Sequence, residues 1–123
     1  MMKKRIIVVE DDPDILFTVK LLLENNGYHV CALSSGKRIM EGNFDCPHLF
    51  ILDKRMPDMD GLDICRYLRG RPECQSVPII VMSASPKFGP QALAAGANDF
   101  LSKPFEIHDL LKLVSELLKN IAG

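Results

Sequence analysis

The stretch RIIVVEDDPDI, residues 5–15, places a run of apolar side chains directly before a cluster of acidic ones. A short continuous apolar run is typical of a strand that is covered on both faces of a parallel sheet. Asp12 precedes a proline, which is favoured at the first position of a helix, so Asp12 is predicted to cap a helix with Asp14 in its first turn. This interpretation leaves Glu10 and Asp11, at the end of the strand, without a structural role.

The alternation of strand and helix patterns continues along the whole chain. Gly27 is predicted to end the first helix in a left-handed conformation. Strands are predicted at residues 5–9, 28–33, 48–53, 77–83 and 99–102, and helices at residues 14–25, 36–42, 61–69 and 91–97. A last helix is predicted from the helical spacing of Ile107, Leu110, Leu111, Val114, Leu117, Leu118 and Ile121. Strict alternation indicates an α/β fold, a parallel sheet with helices on both faces, and we expect one domain over residues 1–123.

The composition argues against several classes of function. The net charge of −1 and the lack of a run of lysines and arginines do not favour binding to nucleic acid or to an anionic membrane surface. No apolar stretch approaches the ~18 residues of a membrane span. The apolar run after MMKKR is too short for a signal peptide, so we expect a cytoplasmic protein.

The cysteines Cys31, Cys46, Cys65 and Cys74 are spread along the chain without a C-x-x-C pair. Such spacing does not favour a zinc site, and the cysteines of a cytoplasmic protein are expected to be reduced. We therefore expect free thiols that pack as small apolar side chains.

Charged or reactive side chains end four of the five predicted strands. They are Glu10 with Asp11, Asp53, Ser83 and Lys103, whereas the second strand ends in turn residues. Because ligands bind at the carboxyl ends of the strands in open parallel sheets, these side chains are expected to meet at one edge. Three converging carboxylates repel one another unless a hard divalent cation lies between them, and a few oxygen ligands with room for water favour Mg²⁺. The alternative interpretation is a set of solvated surface acids.

Lys103 and Ser83 extend this prediction from a metal site to a site for phosphoryl chemistry. A metal ion and a lysine would neutralise charge on the transferring oxygens, and the serine hydroxyl would donate a hydrogen bond to them. Asp53 is then the nucleophile, and it forms an acyl phosphate.

Four segments of the chain carry a resemblance to a known family. They are VVEDDPDI, ILDKRMPDMDG, VMSA and AAGANDFLSKPF, which follow one another in this order. The second is similar to the motif D-x-x-M-P-x-M-D-G, and the fourth combines Ala-Gly-Ala, an aromatic residue and Lys-Pro. Together they make the chain resemble, over essentially its whole length, the receiver domains of bacterial two-component response regulators.

The resemblance implies a flavodoxin-like, doubly wound sheet in the order 2-1-3-4-5 and a phosphoacceptor role for Asp53. The donor would be a sensor histidine kinase or a phosphotransfer protein. Mg²⁺ would be held by Glu10, Asp11, Asp53 and the backbone carbonyl of Arg55, and Lys103 would pair with the phosphoryl group. A signalling switch of this kind is not an enzyme, beyond catalysing its own phosphorylation and its slow autodephosphorylation.

The resemblance also implies that Ser83 and Phe100 form a switch pair. On phosphorylation the Ser83 hydroxyl would turn towards the phosphoryl group and Phe100 would move inward, although its position alone marks Phe100 as a core residue of a strand. The segment between Ser83 and Lys103 is shorter than is usual in the family, and its prolines and glycine predict a fourth helix that starts late and is short. The output would be an effector protein or domain, with dimerisation on phosphorylation as a further outcome.

Two other functions fit parts of this pattern. A metal-dependent phosphohydrolase of the haloacid dehalogenase type would use the same aspartate as nucleophile, but it needs an acid two residues later, where Arg55 stands. A pure interaction module that is never phosphorylated would not need Asp53, Ser83 and Lys103 together. The absence of G-x-x-x-x-G-K-[ST] excludes a P-loop nucleotide binder.

Overall fold

The computed structural model describes residues 3–119, and a five-stranded parallel sheet runs through them. Its strands are β1 (Arg5–Val9), β2 (His29–Leu33), β3 (Leu49–Asp53), β4 (Ile79–Ser83) and β5 (Asp99–Ser102). The helices are α1 (Pro13–Asn25), α2 (Lys37–Met40), α3 (Gly61–Arg69), α4 (Gly89–Ala94) and α5 (Ile107–Lys119), with single 3-10 turns at Pro72–Cys74 and Pro86–Phe88. The strand order β2-β1-β3-β4-β5 confirms the predicted doubly wound α/β fold. Ile121, predicted to belong to the last helix, lies outside the described residues.

The sheet separates two apolar cores, because successive side chains of a strand point to opposite faces. Ile7 and Val9 of β1 belong to one core with side chains of α2, α3 and α4. Ile6 and Val8 belong to the other core, with side chains of α1 and α5. Every residue of β3 and β4 is buried, as expected for strands that are covered on both faces. No helix in the described part of the chain is long and apolar enough to cross a membrane.

The register of the sheet brings the carboxyl ends of its strands close to one level. The last residue of β1 pairs with the residue before Asp53, so Glu10 follows at the level of Asp53. Asp53 itself pairs with the residue before Ser83. Ser83 in turn pairs with the last residue of β5, so Lys103 follows one position beyond it. The sheet therefore delivers these four side chains to one edge.

Local sequence signals set the ends of the helices. The Asp12 carboxylate caps α1 by accepting hydrogen bonds from two backbone N–H groups of the first turn, at 2.9 and 3.2 Å. Gly27 follows α1 with a φ of 92°, the left-handed region that glycine enters at least cost. α4 is short, as predicted, but it begins at Gly89, two residues before the predicted start at residue 91 and directly after the 3-10 turn Pro86–Phe88.

The expectation of reduced cysteines is wrong for two of the four. Cys46 and Cys74 form a disulfide, with their Cα atoms 6.2 Å apart, whereas Cys31 and Cys65 are free. Cys46 lies in the loop before β3 and Cys74 in the turn before β4. Because β3 and β4 are neighbouring parallel strands, the segments that lead into them meet at the same end of the sheet. A separation of 28 residues along the chain gives no sign of this contact.

The loop between β3 and α3 folds back so closely on β3 that it requires a glycine. The backbone N of Gly61 donates to the carbonyl oxygen of Lys54 at 2.7 Å. A Cβ atom on Gly61 would collide with the carbonyl oxygen of Asp53 and lie 2.9 Å from its carbonyl carbon. Both are backbone atoms, which cannot move without displacing the end of the strand. The absence of a side chain at Gly61 therefore allows the loop to close on the strand end that carries Asp53.

Gly61→Ala is expected to lower the free energy of unfolding by about 3 kcal/mol, because the added methyl group forces the loop away from β3. Gly70→Ala is the matched control: its Cβ would lie 3.4 Å from the nearest atom, and its φ is −83°. We expect this control to change the free energy of unfolding by less than about 1 kcal/mol. Urea unfolding followed by circular dichroism measures both values, and equal effects of the two substitutions would contradict this account of the loop.

Candidate functional site

Lys103 joins two buried carboxylates at the carboxyl edge of the sheet. Its ammonium Nζ donates a hydrogen bond to Glu10 Oε1 at 2.5 Å and lies 2.8 Å from Asp53 Oδ1. Glu10 is fully buried and Asp53 is 4% exposed, so the Lys103 ammonium is a major partner of both carboxylates. The backbone N of Lys103 donates to the carbonyl oxygen of Ser83 at 2.8 Å, which holds Lys103 at the end of β5. The structure thus brings together the side chains at the ends of β1, β3 and β5.

Burial sets the protonation of this group. Burial raises the pKa of Glu10 to about 7, although the hydrogen bond from Lys103 opposes the rise. Burial also raises the pKa of Asp53, again against the hydrogen bond from Lys103. Burial acts to lower the pKa of Lys103, but its hydrogen bonds with Asp53 and Glu10 outweigh burial and raise that pKa. One ammonium balances one of the two carboxylates, so a further cation would favour the ionised form of both at neutral pH.

A third carboxylate completes a cluster that could hold a metal ion. Oxygen atoms of Glu10, Asp11 and Asp53 lie within 4.8 Å of one another, and Asp11 is the most accessible of the three. Carboxylate oxygens form a hard donor set that suits Mg²⁺ or Ca²⁺, and the excess of negative charge around Lys103 fits a divalent cation. Arg55 lines the same cavity, and the assignment of its carbonyl oxygen as a further ligand stays a prediction.

The carboxylate cluster lies in a cavity of about 390 Å³. The lining residues are Glu10, Asp11, Asp12, Ile15, Asp53, Arg55, Ser83, Ala84, Ser85 and Lys103. Pockets of roughly 300–1,000 Å³ hold whole small molecules, so a tetrahedral oxyanion has ample room here. The cavity can therefore accept a phosphoryl group next to Asp53.

Ser83 and Phe100 lie in different positions relative to this cavity. The Ser83 hydroxyl oxygen accepts a hydrogen bond from the backbone N of Ser85 at 3.1 Å, and both serines line the cavity. Phe100, on β5, is partly buried against the core that β1 shares with α3, and it does not line the cavity. The sequence patterns do not identify Ser85 as a residue that lines the cavity. The one signal for this role in the sequence is its position two residues beyond the end of β4.

The family model described as the response regulator receiver domain matches residues 6–115 of this chain. Among curated proteins, Response regulator MprA of Mycobacterium tuberculosis is 36% identical over 122 residues, which cover 97% of this chain and 52% of MprA. The chain thus spans about half the length of the curated relatives it matches.

Solved structures with the same fold include receiver domains of histidine kinases. The signal receiver domain of a signal transduction histidine kinase from Syntrophus aciditrophicus is 32% identical with a TM-score of 0.86, over 96% of this chain and 92% of that chain. The receiver domain of the sensor histidine kinase PA1611 from Pseudomonas aeruginosa PAO1 is 27% identical with a TM-score of 0.87, over 97% of this chain and 100% of that chain. The PA1611 structure has a magnesium ion coordinated in its active-site cleft.

Lys103→Met is expected to destabilise the metal-free protein by about 3 kcal/mol at about pH 8, because it leaves two buried carboxyl groups without their cation. The destabilisation caused by Lys103→Met should be smaller at about pH 5. Without Lys103 the pKa of each carboxyl rises further in the folded state, and a group with a raised pKa loses its contribution to stability as the pH rises through that value. Urea unfolding in the presence of a chelator at both pH values measures the difference.

Lys20→Met is the control for the loss of a lysine charge. Lys20 pairs with Glu24 at 2.9 Å on the exposed face of α1, where the two side chains are 41% and 39% exposed. Its loss is expected to cost less than about 1 kcal/mol at either pH. A Lys103→Met effect that is small and the same at the two pH values would show that the ammonium does not support the buried carboxylates.

Proposed function

The chain belongs to the response regulator receiver domain family, and we propose that it is a signalling switch controlled by phosphorylation of Asp53. The observation that carries the proposal is the buried Asp53 carboxylate, which is ion-paired with Lys103 in a cavity that also contains the two other carboxylates of the cluster, Glu10 and Asp11. The phosphodonor is a sensor histidine kinase or a phosphotransfer protein. The proposal assigns residues 1–123 to a single receiver domain that works in the cytoplasm.

Asp53 acts as the nucleophile in the proposed reaction. One of its carboxylate oxygens attacks the phosphorus of a phosphohistidine, an oxygen–phosphorus bond forms, and the departing ring nitrogen keeps the electron pair of the broken bond. The Lys103 ammonium favours the ionised form of Asp53 before transfer and pairs with a phosphoryl oxygen afterwards. Mg²⁺, held by Glu10, Asp11, Asp53 and the carbonyl of Arg55, would neutralise charge on the transferring oxygens.

Ser83 and Phe100 convert phosphorylation into a change of surface. The Ser83 hydroxyl lines the cavity that contains Asp53, and it donates to an oxygen of the new phosphoryl group. This movement turns the hydroxyl oxygen away from the backbone N of Ser85, whose hydrogen bond it accepts in the unphosphorylated protein. Phe100, on the neighbouring strand β5, moves inward. The face around Phe100 is the proposed contact for an effector protein or domain, or for a second phosphorylated copy.

Asp53→Asn is expected to abolish phosphorylation, because an amide cannot act as the carboxylate nucleophile although it keeps the shape of the side chain. Purified protein with Mg²⁺ and acetyl phosphate should gain one phosphoryl group that is labile at alkaline pH. Borohydride trapping followed by peptide mass spectrometry should locate it on Asp53. Labelling of a serine or histidine instead, or undiminished labelling of Asp53→Asn, would refute the assignment.

Asp58→Asn is the matched control for this substitution. Asp58 is exposed in the loop after β3, where its carboxylate accepts a hydrogen bond from the Ser35 hydroxyl at 2.7 Å. It does not line the cavity. The Asp58→Asn protein should therefore be phosphorylated to the same extent as the parent protein.

Asp11→Asn is expected to weaken Mg²⁺ binding at least about tenfold, because it removes one charged oxygen ligand from the cluster. Asp14→Asn serves as the control, since Asp14 belongs to the same acidic stretch but not to the carboxylate cluster. Isothermal titration of metal-free protein with Mg²⁺ measures both affinities. Equal affinities in the two variants would remove Asp11 from the proposed ligand set.

A further inference from the structure

Lys54 connects two loops that border the site. It directly follows Asp53, and its side chain is 13% exposed. Its ammonium lies 2.7 Å from Asp60 Oδ2 and 4.0 Å from the centroid of the Phe88 ring, within the range of a cation–π contact. The Asp60 carboxylate caps α3 by accepting a hydrogen bond from the backbone N of Leu62 at 2.8 Å. Phe88 is the last residue of the 3-10 turn before α4. One cation therefore joins the loop after the phosphoacceptor strand to the start of α4.

The segment from Ser83 to Phe88 is held at both of its ends. At one end the Ser83 hydroxyl accepts a hydrogen bond from Ser85 N. At the other end Lys54 covers the Phe88 ring. α4 itself has six residues, its Ala92 is buried in the core, and no side chain of the described chain caps its first turn, so the contact of Phe88 with Lys54 is a further anchor at the start of this helix.

Gly89 links this anchor to the proposed switch residue. It is the first residue of α4 and directly follows Phe88. Its backbone faces the ring of Phe100, since a Cβ on Gly89 would lie 3.6 Å from Phe100 Cδ2. A shift of Phe88 therefore changes the space beside Phe100.

We propose that Lys54 is a positioning residue that stabilises the unphosphorylated arrangement of α4 and so opposes the switch. This inference rests on the proposed function of Asp53. A phosphoryl group on Asp53 draws the Ser83 hydroxyl into the cavity and displaces the segment that follows it. The contact between Lys54 and Phe88 resists that displacement, and the energy of the contact is lost from the phosphorylated state. A ligand that mimics the phosphoryl group therefore binds more weakly by the same factor.

Lys87 provides a comparison within the same turn. Its Nζ lies 5.3 Å from the centroid of the Phe88 ring. Lys87 is the residue before Phe88 and is exposed, so it moves together with the ring and does not connect it to another loop. Loss of the Lys87 charge is therefore not expected to release α4.

The test is a titration of each protein with beryllium trifluoride, a phosphoryl mimic, at saturating Mg²⁺, followed by amide NMR signals. Lys54→Met and Phe88→Leu should each bind the mimic about three- to tenfold more tightly than the parent protein. The double variant should show no further gain, because both changes remove one contact. In Lys54→Met without the mimic, the amide signals of Gly89 and Phe100 should already lie nearer to their positions in the mimic-bound parent.

Three variants serve as controls for this titration. Lys54→Arg keeps a cation over the ring, Lys87→Met removes the neighbouring charge, and Asp60→Asn removes the ion pair while keeping a capping side chain. Each should bind the mimic within about twofold of the parent protein, since none removes the cation–π contact. A large effect of Asp60→Asn would show that the ion pair, and not the ring contact, controls α4.

The outcomes separate this inference from the proposed function. If the parent protein binds the mimic and both Lys54→Met and Phe88→Leu bind it equally or more weakly, the role of Lys54 is wrong and the role of Asp53 stands. If neither the parent nor any variant binds the mimic, the proposed function fails and this inference fails with it. Phe88→Leu gives an independent answer if Lys54→Met does not fold.

Discussion

The ammonium of Lys103 is the interaction on which the site depends. It reaches from the end of β5 to carboxylates at the ends of β3 and β1 and is shared between them. Two carboxyl groups at such depth would otherwise remain protonated, and a protonated Asp53 is a poor nucleophile. The parallel sheet makes this sharing possible, because its register places the strand ends at one level. The register of the sheet thus places Lys103 where its ammonium can pair with both carboxylates.

The chain carries enough local information to predict most of this arrangement. The apolar runs mark the central strands β3 and β4 as buried on both faces, and the polar or charged residues at the ends of four of the five strands mark the site edge. Asp12 and Gly27 mark the two ends of α1. The aspartate side chain caps the first turn, and the glycine adopts the left-handed conformation after the last turn. The positions of Glu10, Asp53 and Lys103 could therefore be inferred before any contact was known.

Contacts between distant segments escape such inference where no strand end marks both partners. Cys46 and Cys74 meet because neighbouring strands start at the same end of the sheet, and no local pattern encodes the meeting. Arg69 is a second case: its guanidinium donates to the carbonyl oxygens of Gly96 and Val77, both at 2.8 Å, and so ties α3 to the segments before β4 and β5. These two acceptors are backbone atoms, which every residue possesses, so the residue types at these positions carry no signal.

The disulfide between Cys46 and Cys74 joins the two ends of a segment that contains β3 and α3, and so closes this segment into a covalent ring. Closing a loop of this length removes conformational freedom from the denatured chain that is worth roughly 3–4 kcal/mol. The ring also contains Asp53 and the exposed loop around Asp58, the kind of segment that proteases cut first. A single cut in that loop leaves two fragments that remain joined through sulfur. The strand that carries Asp53 then stays attached to the rest of the molecule until the bridge is reduced.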